Sequence, residues 1–541
     1  MNTFDERFLS DRPEGTPGSG EPPTPEELAK IAGGLGLSLT AEQLAEYTAL
    51  VARGMSAYAR LDELNPVSPA FPGRLRDPGR APRTDEDPCH GWAWRCSIRG
   101  ASDGPLAGRR VAVKDNIAVA GLPMRPGAPL PESFVPRADA TVVTRLLDAG
   151  AEIVGKTAAF GAGAEDGAGT AAPEPRNPYA PDRLPGGTSG GNAVVIAAGQ
   201  ADLTLGTDHG GSIRVPAAWS GCVGLKPTFA LVPYTGIVPV ERTLDHVGPM
   251  AATVADCALL LEVTAGGDGL DSRQRIDLGV GSFRGFLDGD LGGVRVAVLR
   301  EGFGIPGVSE PDVDAAALDA VDSLAAGGAR VEEVSVPMHR DGLAIWNAIA
   351  VQGATDLAMR GDTTTTNWDG HVDLDMMERH RLGRLENPQA LSPALVFTAL
   401  LGTYMSQRHG HRYYAKAQNL ARELRRQYTS VLERFDVLAL PTVGMKAVSR
   451  RTDGSATQIV DRMLGNLHNT APFSMTGNPA LSIPCAFSEG LPVGLMLVGR
   501  PYDDEAVLRV GHAYERLRGP LSRAAASEPA DLASVCERPV S

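Results

Sequence analysis

The sequence contains no stretch approaching eighteen uninterrupted apolar residues, so it offers no helix able to span a membrane. It contains no basic run either. A surface that binds nucleic-acid phosphates needs clustered Lys and Arg. Here Asp and Glu number 65 against 51 Lys and Arg, for a formal net charge of -14. Nucleic acid is therefore not an expected partner. The opening stretch MNTFDERFLSDRPEG lacks the basic and apolar regions of a secretion signal. Six cysteines in 541 residues are too few for a disulfide scaffold. Cys89 and Cys96 lie near His90, but no second metal-type pair follows. These absences lead us to expect a cytoplasmic protein with reduced thiols and no metal ion.

What is present is ordinary globular material: 43% hydrophobic and 21% charged residues, enough for a sizeable core. The length exceeds that of one ordinary compact core, though large α/β domains with appendages reach it. Residues 1–22 read as a disordered arm rich in Pro, Gly and charge. Residues 23–90 read as a helical region followed by a proline-rich linker. Thr24 and Pro25 sit where a cap and a first helical residue belong. Thr40 can cap a second helix, in which Leu44, Tyr47, Leu50 and Val51 recur at helical spacing.

Over residues 91–520 strand-like and helix-like segments alternate. RRVAVKD, AEIVGKT, DLTLGTD, VRVAVL, VEEVSV and DVLALP read as strands. ALSIPCAF and LPVGLMLVG flank a Glu489–Gly490 turn and read as an antiparallel hairpin. The pattern predicts an α/β fold with a large mixed sheet flanked by helices. Residues 521–541 read as a flexible tail.

Two glycine-rich blocks carry hydroxyls: GGTSGGNA at 186–193 and GTDHGGSIR at 206–214. The first contains a G-x-S-x-G string centred on Ser189. A nucleophile elbow needs a strand before the turn, and the prolines of the preceding NPYAPDRLPGG exclude a central strand. Ser212 fits better, because an apolar segment ends at Thr207–Asp208 and glycines permit close backbone approach in the turn that follows. Taken alone, that turn reads equally as an oxyanion-binding site or as a glycine turn with a capping serine. A serine nucleophile needs a base, and no histidine has a context that assigns it the role. Lys114 leaves the end of an apparently buried strand, where burial lowers an amine's pKa. Its other reading is a solvated lysine paired with Asp115.

GRRVAVKDNI, PGGTSGGNA, GTDHGGSIRVPAAWSGCVGLKPT and NTAPFSMTGNPALSIP occur in that order. From about residue 95 to 518 the chain resembles the amidase signature family, particularly the actinobacterial amidases associated with nitrile metabolism. The resemblance implies the amidase signature fold and a Ser–cis-Ser–Lys triad. Lys114 matches the lysine and Ser212 the nucleophile. The middle serine, which follows a cis peptide, is the first of two hydroxyl residues after a glycine pair. That position is Thr188, a departure, and Ser189 takes a supporting place beside it. Backbone N–H groups of His209, Gly210, Gly211 and Ser212 would hold an oxyanion, with Asp208 and Arg214 stiffening the turn.

The implied activity is hydrolysis of a carboxylic amide to acid plus ammonia or amine through an acyl-serine, with no metal or organic cofactor. Carbamate or aryl amide hydrolysis and acyl transfer are the nearest alternatives. More distant ones are a catalytically dead binding protein and an amidotransferase subunit. NTAPFSMTG, DHVGP and the segment around Trp346 are expected to line the substrate pocket. The expected partner is a small amide or carbamate, and the expected assembly a homodimer.

Overall fold

The computed structural model describes residues 22–64, 76–124, 134–159, 174–275 and 281–521, except 365, 368, 387 and 451–454. The anticipated arm and tail fall, but for one residue each, outside this set. The chain forms two compact units, Met1–Gly73 and Arg74–Ser541. In the first, helices Pro25–Gly34 and Ala41–Glu63 both begin with reciprocal capping boxes. The Thr24 hydroxyl accepts from Glu27 N (3.2 Å) while Thr24 N donates to Glu27 Oε2 (2.7 Å). Thr40 and Gln43 repeat the arrangement.

The second unit is built on an eleven-stranded sheet. Its strands are β1 (Trp92–Arg99), β2 (Arg110–Lys114), β3 (Glu152–Thr157), β4 (Leu203–Asp208), β5 (Val223–Lys226), β6 (His246–Ala251), β7 (Arg295–Leu299), β8 (Arg330–Val334), β9 (Val437–Pro441), β10 (Ala480–Ser488) and β11 (Leu491–Val498). Their order across the sheet is β1-β3-β2-β4-β6-β5-β10-β11-β9-β7-β8. β2 runs parallel to β3 and β4, and β7 parallel to β8 and β9. The strands between these two parallel groups pair antiparallel. The sheet is mixed, as the sequence pattern predicts.

Helices cover both faces, which explains why several strands read as unbroken apolar runs. Along β7, Val296 and Val298 enter one core while Ala297 and Leu299 enter another. Leu495 and Leu497 of β11 likewise oppose Met496 and Val498. The β10–β11 hairpin turns through Glu489 (φ 49°) and Gly490 (φ 76°). Two consecutive left-handed residues match the right-handed twist of the flanking strands.

Three strands escaped the sequence reading: β1, β5 and β6. β6 contains Gly248 and Pro249, residues that normally break strands. Gly248 is needed because a Cβ there would lie 2.2 Å from the carbonyl oxygen of Leu225 on β5. Cys96, Cys222, Cys257 and Cys485 are thiols. Cys89 is disulfide-bonded, against the expectation of reduced cysteines throughout. Spacing along a chain does not reveal which sulfurs fold together. Among the described residues no helix is long and apolar enough to cross a membrane.

Candidate active site

Parallel pairing brings the carboxyl ends of β2 and β4 together, so Lys114 stands beside the end of β4. Lys114 Nζ donates to Thr207 Oγ1 at 2.8 Å and to Thr188 Oγ1 at 2.5 Å. Thr207 Oγ1 also accepts from Asn116 Nδ2 at 3.2 Å. Asp115, the alternative partner in the sequence, instead pairs with the buried Lys156 at 2.9 Å. Lys114 is itself buried, 2% exposed. Burial pushes its pKa down to about 7, opposed only in part by the Asp208 charge.

Thr188 lies in the turn that enters helix Gly190–Ala197. Upstream, Asn177 Nδ2 ties the loop down by donating to the carbonyls of Leu184 (3.1 Å) and Trp219 (3.0 Å). Gly187 has φ 52°, and a Cβ there would sit 2.9 Å from Ser212 Cα. The two glycine blocks therefore touch, and only glycine fits at the contact. No cis peptide bond occurs among the described residues, so the Gly187–Thr188 bond, expected cis, is trans. The hydroxyl reaches Lys114 with this bond in the ordinary form. Ser189 is buried and does not face the chemistry. Its Oγ donates to Thr207 O (3.1 Å) and accepts from Thr207 N (3.3 Å), holding the end of β4.

Ser212 sits in the turn between β4 and helix Arg214–Trp219. Among the described residues the N–H groups of Gly210, Gly211 and Ser212 donate to no protein acceptor. Asp208 and Arg214 brace this turn. The guanidinium donates to the carboxylate at 3.0 and 2.9 Å, and the same carboxylate accepts from Ile213 N at 3.1 Å. Burial alone would raise the Asp208 carboxyl, but the adjoining Arg214 holds it well below the usual carboxylate range. Arg214 also donates to Thr470 O (2.8 Å) and Ser474 Oγ (2.9 Å).

The NTAPFSMTG segment therefore clamps Arg214 and supplies no residue to the cavity wall, a correction to its expected role. The same holds for DHVGP: Asp245 Oδ1 lies 3.1 Å from His209 Nε2, which also meets Tyr234 Oη at 3.1 Å. The helix Gly342–Ala354 does line the cavity, with Trp346 on its inner face. Sequence reasoning missed Thr207, Asn116, Tyr234 and Ser474. Thr207, Asn116 and Ser474 lie in blocks already singled out, but nothing in those blocks assigned them a role.

Lys114, Thr188, His209, Gly210 and Ser212 all line one cavity of about 330 Å3. Its walls are largely apolar and include Leu244, Trp346, Val351, Phe397, Met463 and Leu467. Among the described residues no cluster of three or more His, Cys, Asp or Glu side chains is suited to hold a metal ion.

The site thus holds a buried amine hydrogen-bonded to a hydroxyl, in one cavity with a serine of a glycine turn. Residues 93–508 match the family model described as Amidase. The chain is 40% identical over 523 residues to an enantioselective amidase of Rhodococcus rhodochrous, covering 94% of this chain and 99% of that one. Among solved structures it is similar to a glutamyl-tRNA(Gln) amidotransferase subunit of Thermotoga maritima (29% identity, TM-score 0.63), covering 77% of this chain and 84% of that one. It is also similar to the peptide amidase of Stenotrophomonas maltophilia (28% identity, TM-score 0.61), covering 76% and 83%. The chain belongs to the Amidase family and has the amidase signature fold. It is a hydrolase acting on amide C–N bonds.

Proposed function

We propose that the enzyme cleaves a carboxylic amide bearing an apolar group, with Ser212 as nucleophile, Thr188 as proton relay and Lys114 as base. The observation that carries this reading is the 2.5 Å contact between Lys114 Nζ and Thr188 Oγ1 in the cavity that Ser212 also lines. A neutral amine has two N–H groups and one lone pair. Thr207 Oγ1 takes one N–H, which leaves the lone pair for the Thr188 hydroxyl, and the Thr188 bond then runs from oxygen to nitrogen.

Ser212 gives its proton to Thr188 as Thr188 passes its own to Lys114, and Ser212 Oγ bonds to the amide carbon. The unpartnered N–H groups of the His209–Ser212 turn receive the oxyanion. The proton returns through Thr188 to the leaving nitrogen, the C–N bond breaks, and ammonia or amine departs. Water then attacks the acyl-serine by the same route and restores the hydroxyl. The apolar walls support a substrate with an aliphatic or aromatic acyl portion. The Rhodococcus rhodochrous relative matches nearly the whole chain and the Thermotoga maritima protein less of it, which favours amide hydrolysis over amidotransfer.

The test is nitrogen release from propionamide, benzamide, an anilide and an N-aryl carbamate by wild type and Ser212→Ala, with fluorophosphonate labelling alongside. Ammonia from the primary amides and labelling at Ser212, both lost in the variant, is the expected result. Release confined to the anilide or carbamate would move the leaving-group assignment. Unchanged turnover by Ser212→Ala would overturn the nucleophile.

A further inference from the structure

The helix Gly342–Ala354 is fixed at both ends by close approach. A Cβ at Gly342 would lie 2.5 Å from Pro472 Cγ, on the helix whose Ser474 holds Arg214. A Cβ at Gly353 would lie 2.3 Å from Glu241 Cγ. Gln352 adds two bonds, accepting from Tyr414 N at 2.9 Å and donating to Gly410 O at 3.1 Å. Trp346, 8% exposed, therefore projects from a rigid element into the cavity wall, with Ala350, Val351 and Ala354 continuing the same face.

Two contacts join this indole to the catalytic turn. Its Nε1 donates to the carbonyl of His209 at 2.8 Å. Its ring lies so close to Gly210 that a Cβ there would meet Cζ2 at 2.7 Å. The His209 carbonyl and the Gly210 N–H belong to one planar trans peptide unit, so they point in opposite directions. Fixing the carbonyl on Trp346 fixes where the Gly210 N–H points. A hydrogen bond accepted by the carbonyl also polarises that peptide unit and strengthens its N–H as a donor.

We propose that Trp346 is a positioning and specificity-determining residue. Its indole N–H aims the Gly210 N–H at the oxyanion, and its ring forms the surface on which the substrate's apolar group packs. This rests on the oxyanion role proposed for the His209–Ser212 turn. One side chain thereby ties recognition of a bulky apolar amide to stabilisation of its tetrahedral intermediate.

The experiment compares Trp346→Phe and Trp346→Ala on propionamide and 2-phenylpropionamide, with thermal unfolding and fluorophosphonate labelling of Ser212 as controls. Trp346→Phe keeps a ring and loses the N–H. It should lower kcat by about tenfold or more on both amides, with KM nearly unchanged, because an interaction made in the transition state has gone. Trp346→Ala should lower kcat similarly and also erase the preference for the phenyl substrate. Trp346→Leu, which fills space without any N–H, repeats the first question should the Phe variant fail to fold. Wild-type kcat in a folded Phe or Leu variant overturns the aiming role. An unchanged preference in the Ala variant overturns the packing role. Activity surviving in Ser212→Ala would instead sink the underlying nucleophile assignment, and that outcome is separable from either.

Discussion

With Lys114 as the proposed base, a pH dependence of turnover follows from its burial. Among the described residues the ammonium has no carboxylate partner within hydrogen-bond reach, only the hydroxyls of Thr188 and Thr207. Its pKa falls from 10.5 to about 7, which corresponds to roughly 5 kcal/mol of preference for the neutral form. With that value about a tenth of the enzyme carries a neutral Lys114 at pH 6 and about nine-tenths at pH 8. kcat/KM for a primary amide, read by ammonia release from pH 5 to 9, should therefore rise with a midpoint near 7. Below the midpoint it should fall about tenfold per pH unit. An ordinary lysine would be neutral in fewer than about one molecule in a thousand at pH 7. Lys114→Arg, permanently charged, should accordingly lose about a thousandfold or more. A profile flat from pH 5 to 9, or one still climbing at pH 9, would refute the argument.

Stability supplies an independent reading of the same group. The unfolded chain keeps this lysine protonated up to its ordinary 10.5 and the folded chain only to about 7. Between those values the unfolded state binds more protons, so the Lys114 contribution to stability rises with pH, and its penalty is fully present below pH 7. The stability of Lys114→Met relative to wild type should therefore be greatest at pH 6 and decline toward pH 10.

Thr188→Ser should retain or raise turnover, since it removes a methyl and keeps the hydroxyl, whereas Thr188→Ala should lose about a hundredfold in kcat; an Ala variant as active as wild type ends the relay. Asp208→Asn leaves the Arg214 guanidinium buried without its counter-charge and should cost about 3–5 kcal/mol in urea unfolding. A midpoint shift within error would mean the pair contributes no stability.

Each candidate was legible within its own short stretch, and it was the family resemblance, not a local pattern, that grouped Lys114 with Thr188 and Ser212. Lys114 ends an apolar run, and the glycine blocks announce tight turns. β7, β9 and β11 were legible because burial on both faces leaves an unbroken apolar stretch. β6 was not, because Gly248 is kept for the close approach of β5 and so looks like a breaker. Trp346 meets His209 across 137 residues, and Arg214 meets Ser474 across 260. No local pattern encodes such meetings; the sheet order creates them. The role of NTAPFSMTG was misread for the same reason, since a segment can be essential to a turn without touching what binds there.

The parallel run of β3, β2 and β4 places Lys114 and Asp208 at one edge of the sheet and the entrances to β2 and β4 at the other. At that second edge Arg110 bridges the two entrances, donating to Gly199 O at 3.1 Å and to Asp202 Oδ1 at 2.7 Å. Beside the bridge the crowding is uneven: a Cβ at Gly108 or at Gly199 would meet nothing within 4 Å, whereas one at Gly104 would lie 2.4 Å from Ala149 O and one at Gly150 2.5 Å from Asp103 O. The Gly108 and Gly199 turns have space around them while the ladder holds Lys114 in place. Near Ser212 a single added atom at Gly187, Gly210 or Gly211 collides with a neighbour, whereas the turns at Gly108 and Gly199 leave open space, so added bulk meets less resistance in those two turns than around the serine.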